Sequence, residues 1–122
     1  MENNILMAEF MGMYAENKNL ILPLGNDEYY IDLLDEDTFK FDSDWNWLMS
    51  VVEKIQSNKL FKVTFGQFYD DEIQLLTGEY YCKIINYNND IVDIMGCSSA
   101  INAVYKSCIE FIKWANQIKL NL

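Results

Sequence analysis

Residues 61–95, FKVTFGQFYDDEIQLLTGEYYCKIINYNNDIVDIM, decide the fold. Phe61, Val63 and Phe65 alternate with Lys62 and Thr64. Successive strand side chains point to opposite faces, so this period of two predicts a half-buried strand. Ile73 and Leu75 in DEIQLL, and the longer EYYCKIINY, predict two further strands, with Thr77-Gly78 as the turn between them. The asparagines of NYNND predict a turn into a last strand at Ile91 to Met95. Strands joined by links this short pair antiparallel, which makes the segment a meander.

Helices are expected on both sides of it. In SDWNWLMSVVEKI (43–55), Ser43 or Asp44 can accept hydrogen bonds from the free amides of a helix start. At about 100° per residue, Trp45, Leu48, Met49, Val52 and Ile55 share one arc, with Asn46, Ser50 and Glu53 opposite. Trp47 lies about 200° around from Trp45. This phase makes Trp45 the buried anchor and Trp47 a rim residue. At the C-terminal end, Ser98 or Ser99 can cap a helix whose stripe is Ile101, Val104, Tyr105, Cys108, Ile112 and Ala115, with Trp114 on the flank.

Near the N-terminus, Ile5, Leu6, Phe10, Met13 and Tyr14 stand near helical spacing and predict a short helix stopping near Gly12. The GND cluster at 25–27 separates two apolar runs as a hairpin turn would, and Pro23 would confine the first strand to an edge. The whole reads as one α+β domain spanning residues 1–122. Three helices pack on an antiparallel sheet of about four to six strands, in the order α-ββ-α-βββ(β)-α.

Composition narrows the function classes. A chain of 122 residues, 51% hydrophobic and 15% aromatic, is long and apolar enough to bury a core without disulfides or metals. Cys82, Cys97 and Cys108 are odd in number and set among apolar residues, which suits buried thiols. No apolar run approaches a bilayer-spanning length, and the first residues lack a basic, then apolar, leader pattern, so the expected setting is cytoplasmic and off the membrane. Nine basic against nineteen acidic residues leave a formal charge of −10, which repels nucleic-acid phosphates and leaves a protein with a basic surface as the complementary partner.

Catalytic signals are lacking. The absence of histidine removes the usual general base and the usual partner of a cysteine nucleophile. The five glycines stand alone near element ends, so there is no phosphate-cradling loop. The carboxylate clusters at 35–37, 42–44 and 70–71 lack the spacing of a calcium loop. No catalytic, cofactor-binding or metal-binding residue is assigned, no cofactor is expected, and a carboxylate–metal enzyme ranks last among the readings.

Contact residues are a different matter. Residues 27–44 are densely acidic, which marks Asp35, Glu36 and Asp37 as candidate contacts for a basic partner. Tyrosine pairs at 29–30 and 80–81 put one ring of each pair on an outer strand face, with Tyr29 and Tyr81 as the candidates. Trp47 and Trp114, on the flanks of their helices, are candidates for a partner contact or for self-association.

Three blocks, MAEFMG, DWNWLMSVVEKI and AINAVYKSCIEFIKW, resemble in that order the phage ABA-sandwich family of small bacterial and phage proteins. The resemblance implies an α+β sandwich and a phage or mobile-element setting, and brings no catalytic residues with it. The leading expectation is a non-enzymatic protein that acts through protein contacts. The alternative is an acidic imitation of nucleic acid that occupies the groove of a DNA- or RNA-binding protein.

Overall fold

Two long helices start where the sequence supplies a capping oxygen. The computed structural model describes residues 2–12, 14–16, 19–24, 27–32, 39–87 and 89–120. The Asp44 carboxylate accepts from the Asn46 N–H at 2.8 Å and opens α2 (Trp45–Ser57). Ser99 Oγ accepts from the Asn102 N–H at 3.2 Å and opens α3 (Ala100–Gln117). The first helix, α1 (Glu2–Phe10), ends as expected just before Gly12, whose φ of +89° is the left-handed conformation that glycine tolerates.

The strands divide between two antiparallel sheets. One contains β1 (Tyr14–Glu16), β2 (Asn19–Leu24) and β3 (Asp27–Asp32), in that order. The other contains β4 (Lys62–Asp70), β5 (Leu75–Asn86) and β6 (Asn89–Cys97). The chain is therefore α+β with three helices among the described residues, but its strands form two three-stranded sheets instead of one sheet of four to six. Pro23 lies in the middle strand of its sheet, opposite Glu28; β1 reaches only Asn19–Ile21, so at Pro23 the strand has β3 alone beside it. A residue without an N–H is accommodated there for the reason that suits it to an edge.

Within the meander, one turn is displaced. The chain reverses at Asp71–Gln74, where the Asp70 carboxylate accepts from the Glu72 N–H at 3.0 Å and Gln74 takes φ +54°. Thr77-Gly78, expected as the turn, lies inside β5. There the Thr77 hydroxyl donates to the Phe68 carbonyl at 2.9 Å, and the Gln67 side-chain amide donates to the Thr77 carbonyl, which pins the irregular stretch across from β4. The second turn, at Tyr87, lies where the asparagines place it, closing the Asn86–Asn89 pair.

The helices pack on one face of β4–β5–β6. Helix α3 crosses all three strands, and α1 and α2 lie against it. The core between the layers contains Leu48, Val51, Val52 and Ile55 from α2, Val104, Cys108, Phe111 and Ile112 from α3, and Cys82 and Ile84 from β5. Each aliphatic or phenylalanine side chain among them contributes roughly 1.5–3 kcal/mol on burial. Ser107 is the buried polar residue of this layer, and its hydroxyl donates to the Cys82 carbonyl at 3.2 Å. Asn4 ties the N-terminal end in: its amide donates to the Phe39 carbonyl at 3.4 Å and its oxygen accepts from the Tyr105 hydroxyl at 2.8 Å.

Trp45 is not the anchor of α2. It is 38% exposed and stacks on Phe65 at 5.6 Å, whereas Trp47 is half-buried and meets Phe41 edge-on at 5.0 Å. The buried arc is centred further towards Val51, because Phe41, just upstream of the helix, covers its Trp47 flank.

Candidate functional site

The helix layer covers one face of β4–β5–β6, which leaves the opposite face as the surface to read. Strand alternation places Thr64 and Phe68 of β4, Tyr81, Lys83 and Ile85 of β5, and Met95 of β6 around one open groove of about 350 Å³. Gly66 has a local reason to be glycine. The Tyr81 ring lies across it, and a Cβ there would meet the Tyr81 hydroxyl at 3.3 Å. The groove offers aromatic and aliphatic surface, one ammonium and one phenol. Its lining contains no carboxylate or thiol.

Beyond the groove, the end of the β4–β5 hairpin is apolar and open. Tyr69 is 46% exposed, Ile73 60%, and Leu75 and Leu76 both 62%. Cross-strand partners share a face: Tyr69 pairs with Leu76 and Asp70 with Leu75, so both faces of the hairpin end carry apolar side chains. Asp71, Glu72 and Glu79 are exposed around them. An apolar tip with an acidic surround is what this end presents to solvent.

The thiols lie in the core. All three cysteines are free and buried, as their apolar neighbours predict. Burial pushes the Cys82 thiol up to about 11, with the Ser107 hydroxyl opposing and Cys97 adding to the rise, and it drives Cys108 higher still. A nucleophilic cysteine needs the reverse shift. Burial, followed by the charge of Asp42, raises the Tyr105 hydroxyl to about 12. Lys54, lowered by burial, sits 4.7 Å over the Phe10 ring and donates to the Phe10 carbonyl, which fastens α2 to the end of α1.

Among the described residues, the three side chains singled out by sequence do not converge. Trp47 is half-buried against Phe41, and Trp114 is half-buried in a cluster with Phe61 at 5.8 Å and Phe111 at 5.7 Å. Tyr81 is half-buried in the groove wall. Tyr29 falls in β3, of which the backbone is described, and Asp35, Glu36 and Asp37 lie outside the described residues. Among the described residues, no three histidine, cysteine, aspartate or glutamate side chains are placed to hold a metal ion. No helix among them is long and apolar enough to cross a membrane.

No family model, curated protein or solved structure matches the chain.

Sequence reading missed Phe68, Leu75, Leu76 and Met95. The signal was present in β4, where Phe65 and Phe68 stand at odd and even positions. A strand with one solvated face would place apolar residues at one parity only.

Proposed function

We propose that the chain is a small acidic protein of a phage or mobile element, cytoplasmic and non-enzymatic, which acts by docking the end of its β4–β5 hairpin on a protein partner. The observation that carries this reading is the exposure of Ile73, Leu75 and Leu76 on a hairpin end ringed by carboxylates. Large apolar side chains open to water on both faces of a two-stranded end cost solubility without adding to the core, and such patches mark contact sites. The complementary partner surface is an apolar recess edged by lysine or arginine, in agreement with the charge of −10. Imitation of nucleic acid is less well supported, because the described exposed carboxylates are spread over α1, α2, the hairpin, β6 and α3 instead of lining one face.

The test compares wild-type chain with a Leu75→Asp/Leu76→Asp variant in capture from bacterial lysate, read by mass spectrometry. The expected result is a protein retained by wild type, lost by the variant, and bound again when purified. Circular dichroism of the variant must match wild type. Retention of the same proteins by both would overturn the hairpin assignment, and release of the captured protein by added DNA would favour imitation of nucleic acid.

A further inference from the structure

We infer that β4 is a self-pairing edge: two copies of the chain join antiparallel along it, about a two-fold axis at Gly66, so that their β4–β5–β6 sheets become continuous. Strand β4 ends the strand order of its sheet and runs nine residues without a proline. Its irregularity is carried by the neighbour. Gln67 pairs with Tyr80 and Tyr69 with Leu76, so the extra residues lie on β5 and β4 stays regular. Two of the devices that blunt an edge, a proline and a bulge in the edge strand itself, are missing, and those present, Lys62 and the Gln56 side chain of α2, lie at its first two residues.

The backbone groups along the edge can be assigned. The Val63 N–H donates to the Gln56 side chain of α2 at 2.9 Å, and the Phe68 carbonyl accepts from Thr77 of β5. N–H and C=O directions alternate along a strand, so the odd-numbered residues face away from β5. Gln56 occupies the first of these donors. Among the described residues, those of Phe65, Gln67 and Tyr69 meet no side-chain acceptor.

The sequence KVTFGQFYD then selects the register. Antiparallel pairing about Gly66 sets Phe65 against Gln67 of the second copy, so that the outward N–H and C=O groups of both exchange hydrogen bonds. The same register sets Lys62 against Asp70 at one end and, by symmetry, Asp70 against Lys62 at the other. Opposite charges directly across an antiparallel pair stabilise it, and like charges destabilise it. The other free edge lacks this property: β6 paired with itself about its midpoint would oppose Asp93 to Asp93, and Gly96, at φ +72°, interrupts it.

Exposed aromatic residues fall on both faces of the same strand. Phe65 is 39% and Phe68 40% exposed, and Trp45 lies stacked on Phe65. Pairing extends the row Val63, Phe65, Gln67 and Tyr69 into its copy, which covers the Trp45–Phe65 stack. The turn carrying Ile73 lies beyond the paired residues and Leu75 and Leu76 lie on β5, so Tyr69 is the residue shared with the docking proposed for the hairpin end, and either association can fail alone.

The experiment is sedimentation equilibrium of the full chain and three variants over a concentration series. Wild type is expected to be dimeric. Lys62→Asp and Asp70→Lys each place like charges at both ends, and each is expected to weaken the dimer about tenfold or more. An equimolar mixture of those two variants restores opposite charges at both ends and is expected to associate more tightly than either alone. Gln67→Pro, which removes an outward N–H, is expected to leave monomer. Circular dichroism verifies that each variant is folded. The mixture also controls for Asp70, whose carboxylate holds the adjacent turn. A wild-type chain that stays monomeric at its highest soluble concentration overturns the proposal. So does a dimer indifferent to both charge changes, or a mixture no tighter than its components.

Discussion

Trp47 meets Phe41 edge-on at 5.0 Å, while two residues away Trp45 lies flat on Phe65 with more than a third of its surface in water. The two indoles therefore serve different purposes on one helix. Removal of Trp47 opens a hole against the segment that seals α2, and removal of Trp45 uncovers one exposed phenylalanine. Trp47→Ala is expected to cost about 2–3 kcal/mol and Trp45→Ala about 1 kcal/mol. Urea midpoints at unchanged slope would measure both, and a larger loss at Trp45 would contradict the packing described. The helix, its cap at Asp44 and most of its buried arc were legible in the sequence, but the ranking of the two tryptophans was not. Helical spacing gives the direction of the apolar stripe and says nothing of which flank a neighbouring segment will cover, and here Phe41 covers the flank of Trp47.

At the scale of elements, local chemistry located most boundaries and misplaced one. Gly12, Asp44, Ser99 and Tyr87 all mark ends that the sequence indicates. Thr77-Gly78 carries a turn-like pair yet runs through a strand, because the Asp70 carboxylate closes a turn upstream and the Thr77 hydroxyl is taken up by the Phe68 carbonyl. Two substitutions separate these positions. Gln74 holds a left-handed φ of +54° that costs a side-chain-bearing residue energy, so Gln74→Gly should stabilise the chain by about 0.5–1 kcal/mol. A Cβ at Gly78 meets nothing within 4 Å, so Gly78→Val, which would ruin a turn, should change stability by less than about 0.5 kcal/mol in a strand. Thermal melts of the two variants would show a rise for the first and little change for the second.

At the scale of the whole molecule, composition was the safest guide to chemistry and the weakest guide to architecture. The three buried thiols followed from their odd number and apolar neighbours, whereas the division of the strands into two sheets turns on whether the strands before α2 pair with those after it, which no local pattern records; here each described strand pairs with its neighbours in sequence. Those thiols also set the alkaline behaviour of the fold. Cys82 titrates at about 11 against an ordinary 9.0, Cys108 is shifted in the same direction, and Tyr105 titrates at about 12 against 10.0, all chiefly through burial. A raised value means that the folded chain holds the proton more tightly than the unfolded chain. The stabilisation is therefore complete below about pH 9 and is lost as pH rises through the folded values, by up to about 1.4 kcal/mol per pH unit for each buried thiol and by less for the partly exposed Tyr105, whose charge water screens. Lysine deprotonation over the same range deepens the negative charge and also works against folding, so wild type alone cannot separate the two effects. A Cys82→Ala/Cys108→Ala chain keeps every lysine and lacks the two thiols. It will start less stable at pH 8, through lost packing, and between pH 8 and 11 its urea midpoint should fall less steeply than that of wild type. Parallel slopes for the two chains would mean that surface charge, and not the buried protons, governs the alkaline limit.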